Sequence, residues 1–242
     1  MTLVVKLGGS VITDKATPET VDEANLGRAA DALAGRDDMV VVHGAGSFGH
    51  HYASKHGVTD TEGSHSAVAA AEINGTMKEL NGRVVAALQE RDVPAVPVHP
   101  FSFAHRDAAG ETTHPTDHLA CMLGEGFVPV LHGDVVTQAD AGVTIISGDE
   151  LVVECARQLG AERVGLCSAV PGVYDQDERV VERVTAFEEM AAALGGSDAT
   201  DVTGGMAGKV RTLLDLDVPA SIFDLDHLPA FLAGERPGTT ID

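Results

Sequence analysis

The sequence predicts an α/β fold, a three-layer αβα sandwich with a mostly parallel central sheet. Short Val-rich runs alternate with helical stretches along most of the chain, which is the order that β-α-β units require. The runs are apolar at consecutive positions, as in strands that are covered on both faces. The 242 residues, 44% of them hydrophobic, supply a sizeable core, and no repeat or long linker divides them. We therefore expect one domain over residues 1–242.

The strands of this sheet are predicted from short apolar runs. They are TLVVKL (2–7), MVVVH (39–43), AVPV (95–98), FVPVLH (127–132), RVGLC (163–167) and PASIFDL (219–225). In addition, VVTQADAGVTII (135–146) predicts a β-hairpin with its turn around residues 139–142.

The helices are predicted from longer stretches between these runs. They cover residues 21–34, 64–91, 150–160, 206–216 and 227–234. We expect Gly75 and Gly82 to interrupt the second helix, and Gly160 to end the third.

The charge of the chain excludes some partners. The formal net charge is -21, from 37 acidic and 16 basic residues. Such a field repels nucleic acid and anionic lipid, so neither is an expected partner. The charges are scattered and the apolar content is high, which argues against disorder. We expect adaptation to a salty cytoplasm, in which salt screens the repulsion and the melting temperature rises with KCl.

The cysteines and the apolar runs indicate a compartment. Cys121, Cys155 and Cys167 form no C-x-x-C motif, which is typical of a reducing environment rather than a disulfide framework. The first apolar run meets Lys6 at once, so no signal peptide is predicted. No apolar run approaches the roughly 18 residues of a membrane span. We expect a cytoplasmic protein that does not enter membranes.

One glycine-rich segment, HGAGSFGHH (43–51), fits three hypotheses. Gly44, Gly46 and Gly49 spell G-x-G-x-x-G after an apolar run, which is the outline of a dinucleotide fingerprint. Ser47 has nearly the setting of a nucleophile elbow, although Ala45 stands where the first glycine belongs. The third hypothesis is a phosphate-binding loop, and the segment alone does not decide among them.

The lysines favour a polyphosphate ligand. Only five occur, and Lys6, Lys15 and Lys209 lie in or beside glycine-rich segments. Glycine at a strand end lets backbone N–H groups face an anion closely, and a neighbouring lysine adds a mobile positive charge. The segment GGMAGK is not a Walker A loop, because Thr203 and Val210 stand where that motif needs Gly and Ser or Thr.

Five motifs in a fixed order carry a family resemblance. They are KLGGS (6–10), HGAGSFGHH, SGDEL (147–151), VPGVY (170–174) and GGMAGK (204–209). This order resembles the amino acid kinase superfamily. KLGGSVITDK with its second lysine, His50 after Phe48–Gly49, and PVLHGDVV followed by TIISGDEL resemble one branch, the isopentenyl phosphate kinases. The resemblance covers nearly the whole chain, with one departure: Ser168 and Ala169 stand where relatives often carry Thr and Asp.

The resemblance implies a reaction and an organisation. The reaction is phosphoryl transfer from ATP, with Mg²⁺, to isopentenyl phosphate, which gives isopentenyl diphosphate for isoprenoid biosynthesis. An N-terminal lobe of about residues 1–160 would bind the acceptor phosphate, and a C-terminal lobe of about residues 161–242 would bind the nucleotide. The superfamily also implies a homodimer.

The resemblance further implies the site residues. The catalytic residues would be Lys6, Lys15, His50, Asp149 and Lys209. The ATP-binding residues would be Lys6, Leu7, Gly8, Gly9, Ser10, Ala45, Ser168, Gly172, Tyr174, Gly205 and Lys209. The acceptor-binding residues would be Gly44, Gly46, Gly49, His50 and Gly148. No residue is assigned as a metal ligand.

The residue types suit this chemistry. A phosphate monoester has a second pKa of about 6 and is largely a dianion near neutral pH, so no strong base is required. The difficulty is repulsion between two anions, which lysines, a histidine, backbone N–H groups and Mg²⁺ counteract. His50 is preferred over His51 on the family motif. Asp149 either orients Lys6 and Lys209 or caps a helix N-terminus.

Other side-chain sets support weaker hypotheses. His114, His118 and Cys121 have a helical spacing that suits zinc, although polar residues around a helix start explain it better. An apolar slot for a prenyl tail could use core-type residues, namely Val68, Ile73, Met77, Ile145 and Ile146.

Three competing functions remain. A kinase for another small acid, such as fosfomycin or an acyl amino acid, would need a different acceptor pocket. A nucleotide-binding regulator without turnover conflicts with the presence of Lys6, Asp149 and Lys209. A dinucleotide oxidoreductase would carry its fingerprint after the first strand, where KLGGS stands instead.

Overall fold

A computed structural model describes residues 2–14, 16–188 and 205–242. The strands of the described residues are β1 Leu3–Leu7, β2 Met39–His43, β3 Ala95–Pro97, β4 His105–Arg106, β5 Thr112–Thr113, β6 Val128–His132, β7 Asp134–Gln138, β8 Gly142–Ile146, β9 Arg163–Ser168, β10 Arg183–Val184, β11 Ala220–Asp224 and β12 Thr239–Ile241. Every predicted strand is present, and β4, β5, β10 and β12 are additional.

The helices of the described residues flank these strands. They are α1 Gly9–Ile12, α2 Glu23–Leu33, α3 Gly46–His56, α4 Ala67–Gln89, α5 Asp117–Gly124, α6 Gly148–Leu159, α7 Met206–Leu214 and α8 Leu228–Leu232, with 3₁₀ turns at Pro100–Ser102 and Leu225–His227. The predicted helices are confirmed, with ends within a few residues of those expected.

Eight strands form the central sheet, in the order β10-β12-β11-β9-β1-β2-β6-β3. All neighbours are parallel except the pair β11 and β12. Because side chains alternate along a strand, Leu3, Val5 and Leu7 enter one core layer and Val4 enters the other. Helices α2, α4 and α8 cover the first layer, and α6 and α7 cover the second. The predicted three-layer αβα sandwich is therefore confirmed.

A smaller sheet, in the order β5-β4-β7-β8, accompanies the central one. Its β7–β8 hairpin has the predicted turn, in which Asp140 and Gly142 take positive φ of 65° and 84°. A satellite apolar cluster joins this sheet to α3 and α4. Its buried members are Val58, Ala70, Ile73, Val135 and Val143.

Two local predictions were wrong. Helix α4 continues through Gly75 and Gly82, because its buried face keeps large apolar side chains in the core on both sides of each glycine. The segment HGAGSFGHH is mostly helical rather than a loop, since α3 begins at Gly46 and the glycines fall at its first turn. His50 therefore lies on a helix.

Candidate active site

The carboxyl ends of four parallel strands meet at one edge of the central sheet. Leu7 pairs in register with His43 and Cys167, and His43 pairs with His132. The residue after each strand is linked to the neighbouring strand: Gly8 N–H donates to Cys167 O at 2.8 Å, and Gly44 N–H donates to Leu7 O at 3.0 Å. In an α/β sheet this edge is where ligands bind.

The two glycine-rich segments at this edge pack directly on each other. A Cβ on Gly9 would lie 2.7 Å from Gly46 Cα, and a Cβ on Gly44 would lie 2.6 Å from Gly9 N. Gly46 also has a φ of +51°, which side chains disfavour. These three glycines are therefore required by the contact between the segments.

Two lysines converge on Asp149. Lys6 Nζ lies 2.6 Å from Asp149 Oδ1, and Lys209 Nζ lies 3.7 Å from Oδ2. Lys6 faces α6 because it shares the strand face of Val4, and Lys209 comes from the first turns of α7. The chain thus joins three residues that are far apart in sequence into one cationic cluster held by a single carboxylate.

Burial and charge act in opposite directions on this cluster. Burial lowers the pKa of the Lys6 ammonium, Asp149 opposes the shift, and Lys209 adds to it. For Asp149, burial alone raises the pKa of the carboxyl, but Lys6 and Lys209 together lower it below its ordinary value. Asp149 is thus held ionised between two positive charges.

The helix cap at this point is Ser147, not Asp149. The Ser147 side chain accepts from Glu150 N–H at 3.1 Å, and the Glu150 carboxylate accepts from Ser147 N–H at 2.7 Å. This capping box satisfies the start of α6 and leaves Asp149 to the lysines. Gly148 lies against Lys6, because a Cβ there would be 3.2 Å from Lys6 Cε.

Ser47 has a structural role rather than that of a nucleophile, because its hydrogen bonds join two segments of the chain. Its Oγ donates to Thr20 O at 3.2 Å and accepts from Thr20 N–H at 3.3 Å, while its own N–H donates to Thr13 Oγ1 at 3.0 Å. Thr13 pairs with Val21 in an antiparallel bridge. Ser47 therefore fastens α3 to the turn that follows α1. Lys15, predicted in this turn, lies outside the described residues.

The remaining acceptor-side predictions lie on α3. His50 is exposed on its second turn. Gly49 is buried, and a Cβ there would lie 2.7 Å from Met77 Sδ, so this glycine allows α3 to approach α4. His51 is also exposed and packs edge-on against Tyr52.

The predicted nucleotide-side residues are spread along the same edge. Ser168 ends β9, and Gly205 is the residue before α7. Gly172 is buried against Thr239, where a Cβ would lie 2.6 Å from Oγ1. Leu7 is the last residue of β1 and is fully buried, whereas Ser10, after β1, and Ala45, after β2, are partly buried. Tyr174 is 37% exposed.

The structure places the residues of two weaker sequence hypotheses, a zinc site and an apolar slot for a prenyl tail. His114 and His118 pack against the Phe103 ring, and within the described ranges no three His, Cys, Asp or Glu side chains form a metal-binding group. Of the five slot candidates, Ile73 and Ile145 belong to the satellite cluster, whereas Val68 is 63% exposed. Met77 and Ile146 belong to the two main core layers.

A set of buried polar residues behind the site was not predicted from the sequence. They are His43, Asn81, Arg106, His132 and Asp134. His43 and His132 are the last residues of two strands, and a polar residue at that position was the available signal. Asn81 and Arg106 carried no such signal, because their neighbours come from distant segments.

None of the helices in the described part of the chain combines the length and the hydrophobicity that a bilayer crossing requires.

Comparison with known proteins gives consistent matches. The amino acid kinase family matches residues 1–216. An isopentenyl phosphate kinase of Haloferax volcanii is 58% identical, over 99% of this chain and 98% of its own length. An isopentenyl phosphate kinase of Methanothermobacter thermautotrophicus is 37% identical, over 88% of this chain and 85% of its own. Among solved structures, X-ray structures of isopentenyl phosphate kinase match with a TM-score of 0.86 at 32% identity, covering both chains completely.

Proposed function

Because this chain belongs to the amino acid kinase family, we propose that it phosphorylates isopentenyl phosphate with ATP and releases isopentenyl diphosphate and ADP. The observation that carries the proposal is the Lys6–Asp149–Lys209 cluster beside the crossing of two glycine-rich segments. Such a cluster places fixed positive charge where a phosphoryl group in transfer spreads negative charge.

The reaction is a displacement at phosphorus. An oxygen of the acceptor phosphate forms a bond to the γ-phosphorus as the bond from that phosphorus to the ADP oxygen breaks. The acceptor is already a dianion, so the protein's work is alignment and charge neutralisation. We assign Lys6 and Lys209 to the transferring group. Asp149 orients both ammonium groups and favours the charged form of Lys6.

We propose roles for the other site residues as well. Lys15 would add a further positive charge on the transferring group. On the nucleotide side we propose the end of β1 and the backbone after it, the residue before α3, and the segments after β9 and before α7. These residues are Leu7, Gly8, Gly9, Ser10, Ala45, Ser168, Gly172, Tyr174 and Gly205. On the acceptor side we propose the start of α3 and of α6, that is Gly44, Gly46, Gly49, His50 and Gly148. The common sheet edge supports both groups.

The acceptor tail needs an apolar surface near its phosphate site. The satellite cluster supplies one, since it lies between α3, which carries His50, and the small sheet. We propose that Ile145, which is partly buried, contacts the prenyl tail, whereas Ile73 is 1% exposed and belongs to the interior of the cluster. An apolar contact of this kind favours a hydrocarbon over a second carboxylate.

The residues of the candidate site are compatible with Mg²⁺ that binds as a complex with the nucleotide. Asp149, the carboxylate of the lysine cluster, is engaged by Lys6 and Lys209, and the described residues include no metal-binding group of three donors. Mg²⁺ commonly takes its ligands from phosphate oxygens and water with few protein groups. When bound, it would neutralise charge on the phosphates, and we assign no residue as its ligand.

Three organisational features complete the proposal. We propose that residues of about 1–160 form the acceptor lobe and those of about 161–242 the nucleotide lobe. We also propose a homodimer and a cytoplasmic location. These follow from membership of the family and from the sequence composition.

The direct test is ADP release from ATP and Mg²⁺ in concentrated KCl, with and without isopentenyl phosphate, with the product identified by mass. We expect isopentenyl diphosphate at about 1 per second or faster. ATP binding without any acceptor-dependent ADP release would overturn the assigned substrate.

A matched pair of variants tests the acceptor site. His50→Ala should lose most of the acceptor-dependent rate, because a phosphate donor is removed. His51→Ala, a substitution at the next exposed residue of the same helix, should keep that rate. Equal rates for the two variants would contradict the assignment of His50.

A further inference from the structure

A buried polar network lies directly behind the acceptor edge of the sheet. His43, Asn81 and His132 are fully buried, and His43 and His132 stack with their ring centroids 5.5 Å apart. Buried polar side chains reduce stability unless they are hydrogen-bonded, and apolar residues would fill the same core. The bonds that this network makes therefore indicate what it does.

The hydrogen bonds of Asn81 fix the state of the His43 ring. Asn81 Nδ2 donates to Val130 O at 3.1 Å and to His43 Nε2 at 3.2 Å. The backbone carbonyl of Val130 only accepts, so it orients the amide with its nitrogen inward. Since that nitrogen only donates, His43 Nε2 is an acceptor and the ring proton is on Nδ1.

Nδ1 of His43 donates its proton to the carbonyl of Gly44 at 3.1 Å. Burial lowers the pKa of His43 to about 4, so the ring stays neutral in this tautomer at the pH of the cytoplasm. His132 repeats the arrangement, with Nδ1 at 3.0 Å from Gly133 O and Nε2 at 2.9 Å from His99 Nδ1.

Holding the Gly44 carbonyl inward has a consequence for the next residue. The chain contains no cis peptide bond among its described residues, so the Gly44–Ala45 peptide is trans and its N–H points away from its C=O. Within the described part of the chain the Ala45 N–H donates to no acceptor. This peptide packs on the first glycine segment, because a Cβ on Gly9 would lie 3.1 Å from Gly44 C.

We propose that His43 is a positioning residue, which with Asn81 behind it fixes the Gly44–Ala45 peptide so that the Ala45 N–H faces the acceptor phosphate. This inference rests on the proposed function, because Gly44 belongs to the proposed acceptor site. It adds a specific donor to that site and assigns the role of the strand-terminal histidine. Ala45, proposed above on the nucleotide side, would also contact the acceptor phosphate through its backbone N–H. Glycine at position 44 fits the role, since a side chain there would collide with Gly9 N.

The first experiment monitors the Gly44–Ala45 peptide by NMR in the absence of any reaction. In protein labelled with ¹⁵N-alanine and ¹⁵N-histidine, the Ala45 amide resonance should move when inorganic phosphate is added. The His43 ring should show a protonated Nδ1 and an unprotonated Nε2. A ring protonated at Nε2 instead, or an Ala45 amide that does not respond to phosphate, would overturn the proposal even if the enzyme phosphorylates isopentenyl phosphate.

The second experiment removes and restores the donor. His43→Leu should lower kcat/KM for isopentenyl phosphate about 100-fold, because a misaligned donor costs about that much. His43→Asn places an amide N–H near the position of Nδ1 and should recover most of the loss and the response of the Ala45 amide. His114→Leu is the matched control, since His114 is equally buried but its ring nitrogens have no hydrogen-bond partner among the described residues.

The results of these experiments distinguish a role of His43 in positioning the Gly44–Ala45 peptide from a role in the stability of the fold. If His43→Leu and His43→Asn are equally impaired at matched melting temperatures, the ring only fills space and the proposal fails. If His43→Leu does not fold, the proposal is still tested on the unsubstituted protein. The tautomer of its His43 ring and the response of its Ala45 amide to inorganic phosphate then decide whether the proposal holds. If isopentenyl phosphate is not the acceptor, the response of Ala45 to inorganic phosphate remains a valid test.

Discussion

Gly9 and Gly46 meet backbone to backbone where the segment after β1 crosses the start of α3. A Cβ on Gly9 would lie 2.7 Å from Gly46 Cα, and rigid backbone on both sides leaves no side chain that could move aside. Glycine at these positions is commonly explained by access for a phosphate. Here the contact between the two segments requires it even without a ligand.

Gly9→Ala should therefore destabilise the protein and lower its activity together. The added methyl group forces the two segments apart, and overpacking of this kind costs about 1–3 kcal/mol. The measurement is urea unfolding in concentrated KCl alongside kcat/KM for isopentenyl phosphate. Gly82→Ala is the control, because a Cβ there meets nothing within 4 Å and should stabilise the interior of α4 by about 0.5–1 kcal/mol. Equal stabilities of the two variants would refute the packing argument.

Asp149→Asn should lower the rate and narrow its pH range. Burial and Lys209 both lower the pKa of Lys6, and Asp149 is the group that raises it, so removing the carboxylate lowers the Lys6 pKa further. The ammonium then loses its proton at a lower pH, and the alkaline limb of kcat/KM moves to lower pH. We also expect a loss of about 100-fold in kcat/KM at neutral pH, because Lys6 and Lys209 lose the carboxylate that aligns them.

Glu154→Gln, on the same helix, is the control for Asp149→Asn. Glu154 pairs with Arg157 on the exposed side of α6, away from Lys6. Its removal should leave the pH profile in place. If the alkaline limb of Asp149→Asn coincides with that of the unsubstituted protein, Asp149 does not hold Lys6 charged.

The sequence predicted the elements well because they depend on local signals. The β1 run is apolar at nearly every position, and α6 has a Ser147 cap and ends at Gly160, which adopts the left-handed conformation. The wrong predictions concerned glycines. Gly46 begins helix α3, and helix α4 continues through Gly75, because contacts between α3, α4 and the sheet outweigh the low helix propensity of glycine.

Residues of the site could be predicted from the sequence only where they belong to a recognisable motif. Lys6, Asp149 and Lys209 were selected through a family resemblance, and the fold brings them together. Whether they act as proposed is for the variants to decide. Arg106 and Asn81 were missed because their partners lie on segments 38 to 49 residues away, and no local pattern reports such contacts.

Arg106 holds the small sheet to the start of α6. It is 5% exposed, donates to Thr144 Oγ1 at 3.1 Å and to Ile145 O at 3.0 Å, and forms an ion pair with Glu150, the residue after Asp149. Arg106→Met should reduce the free energy of unfolding by about 1–3 kcal/mol, because it leaves buried carbonyl and hydroxyl acceptors unsatisfied and removes the partner of the partly exposed Glu150 carboxylate.

Chemical denaturation of Arg106→Met measures this loss, and the double variant Arg106→Met/Glu150→Gln gives the coupling. Since the single variant leaves an uncompensated carboxylate, the second substitution should recover part of the stability. Exposed Arg179→Met, whose ion pair with Asp177 is solvated, should change stability by less than about 1 kcal/mol. Strict additivity of the Arg106 and Glu150 substitutions would show that the pair is not coupled.

Asp134 should make the stability depend on pH in an unusual direction. Burial raises the pKa of its carboxyl from 3.8 to about 7, although Val135 N–H and the Asn74 amide donate to it and lower the pKa. Between these values the folded chain keeps a proton that the unfolded chain has released. The contribution of Asp134 to stability is therefore present at low pH and is lost as the pH rises toward 7.

Asp134→Asn removes this titration and keeps the shape of the side chain. The variant should gain stability relative to the unsubstituted protein between pH 5 and pH 8, by about 3 kcal/mol over that interval. The gain accumulates over the roughly two pH units between pH 5 and the pKa of about 7, and each unit corresponds to about 1.4 kcal/mol. Taking the difference between the two proteins cancels His43, whose lowered pKa acts in the opposite direction below pH 6.5. Asp140→Asn, in the exposed β7–β8 turn, should show no such trend, and a flat difference for Asp134→Asn would mean that the Asp134 carboxyl is ionised throughout.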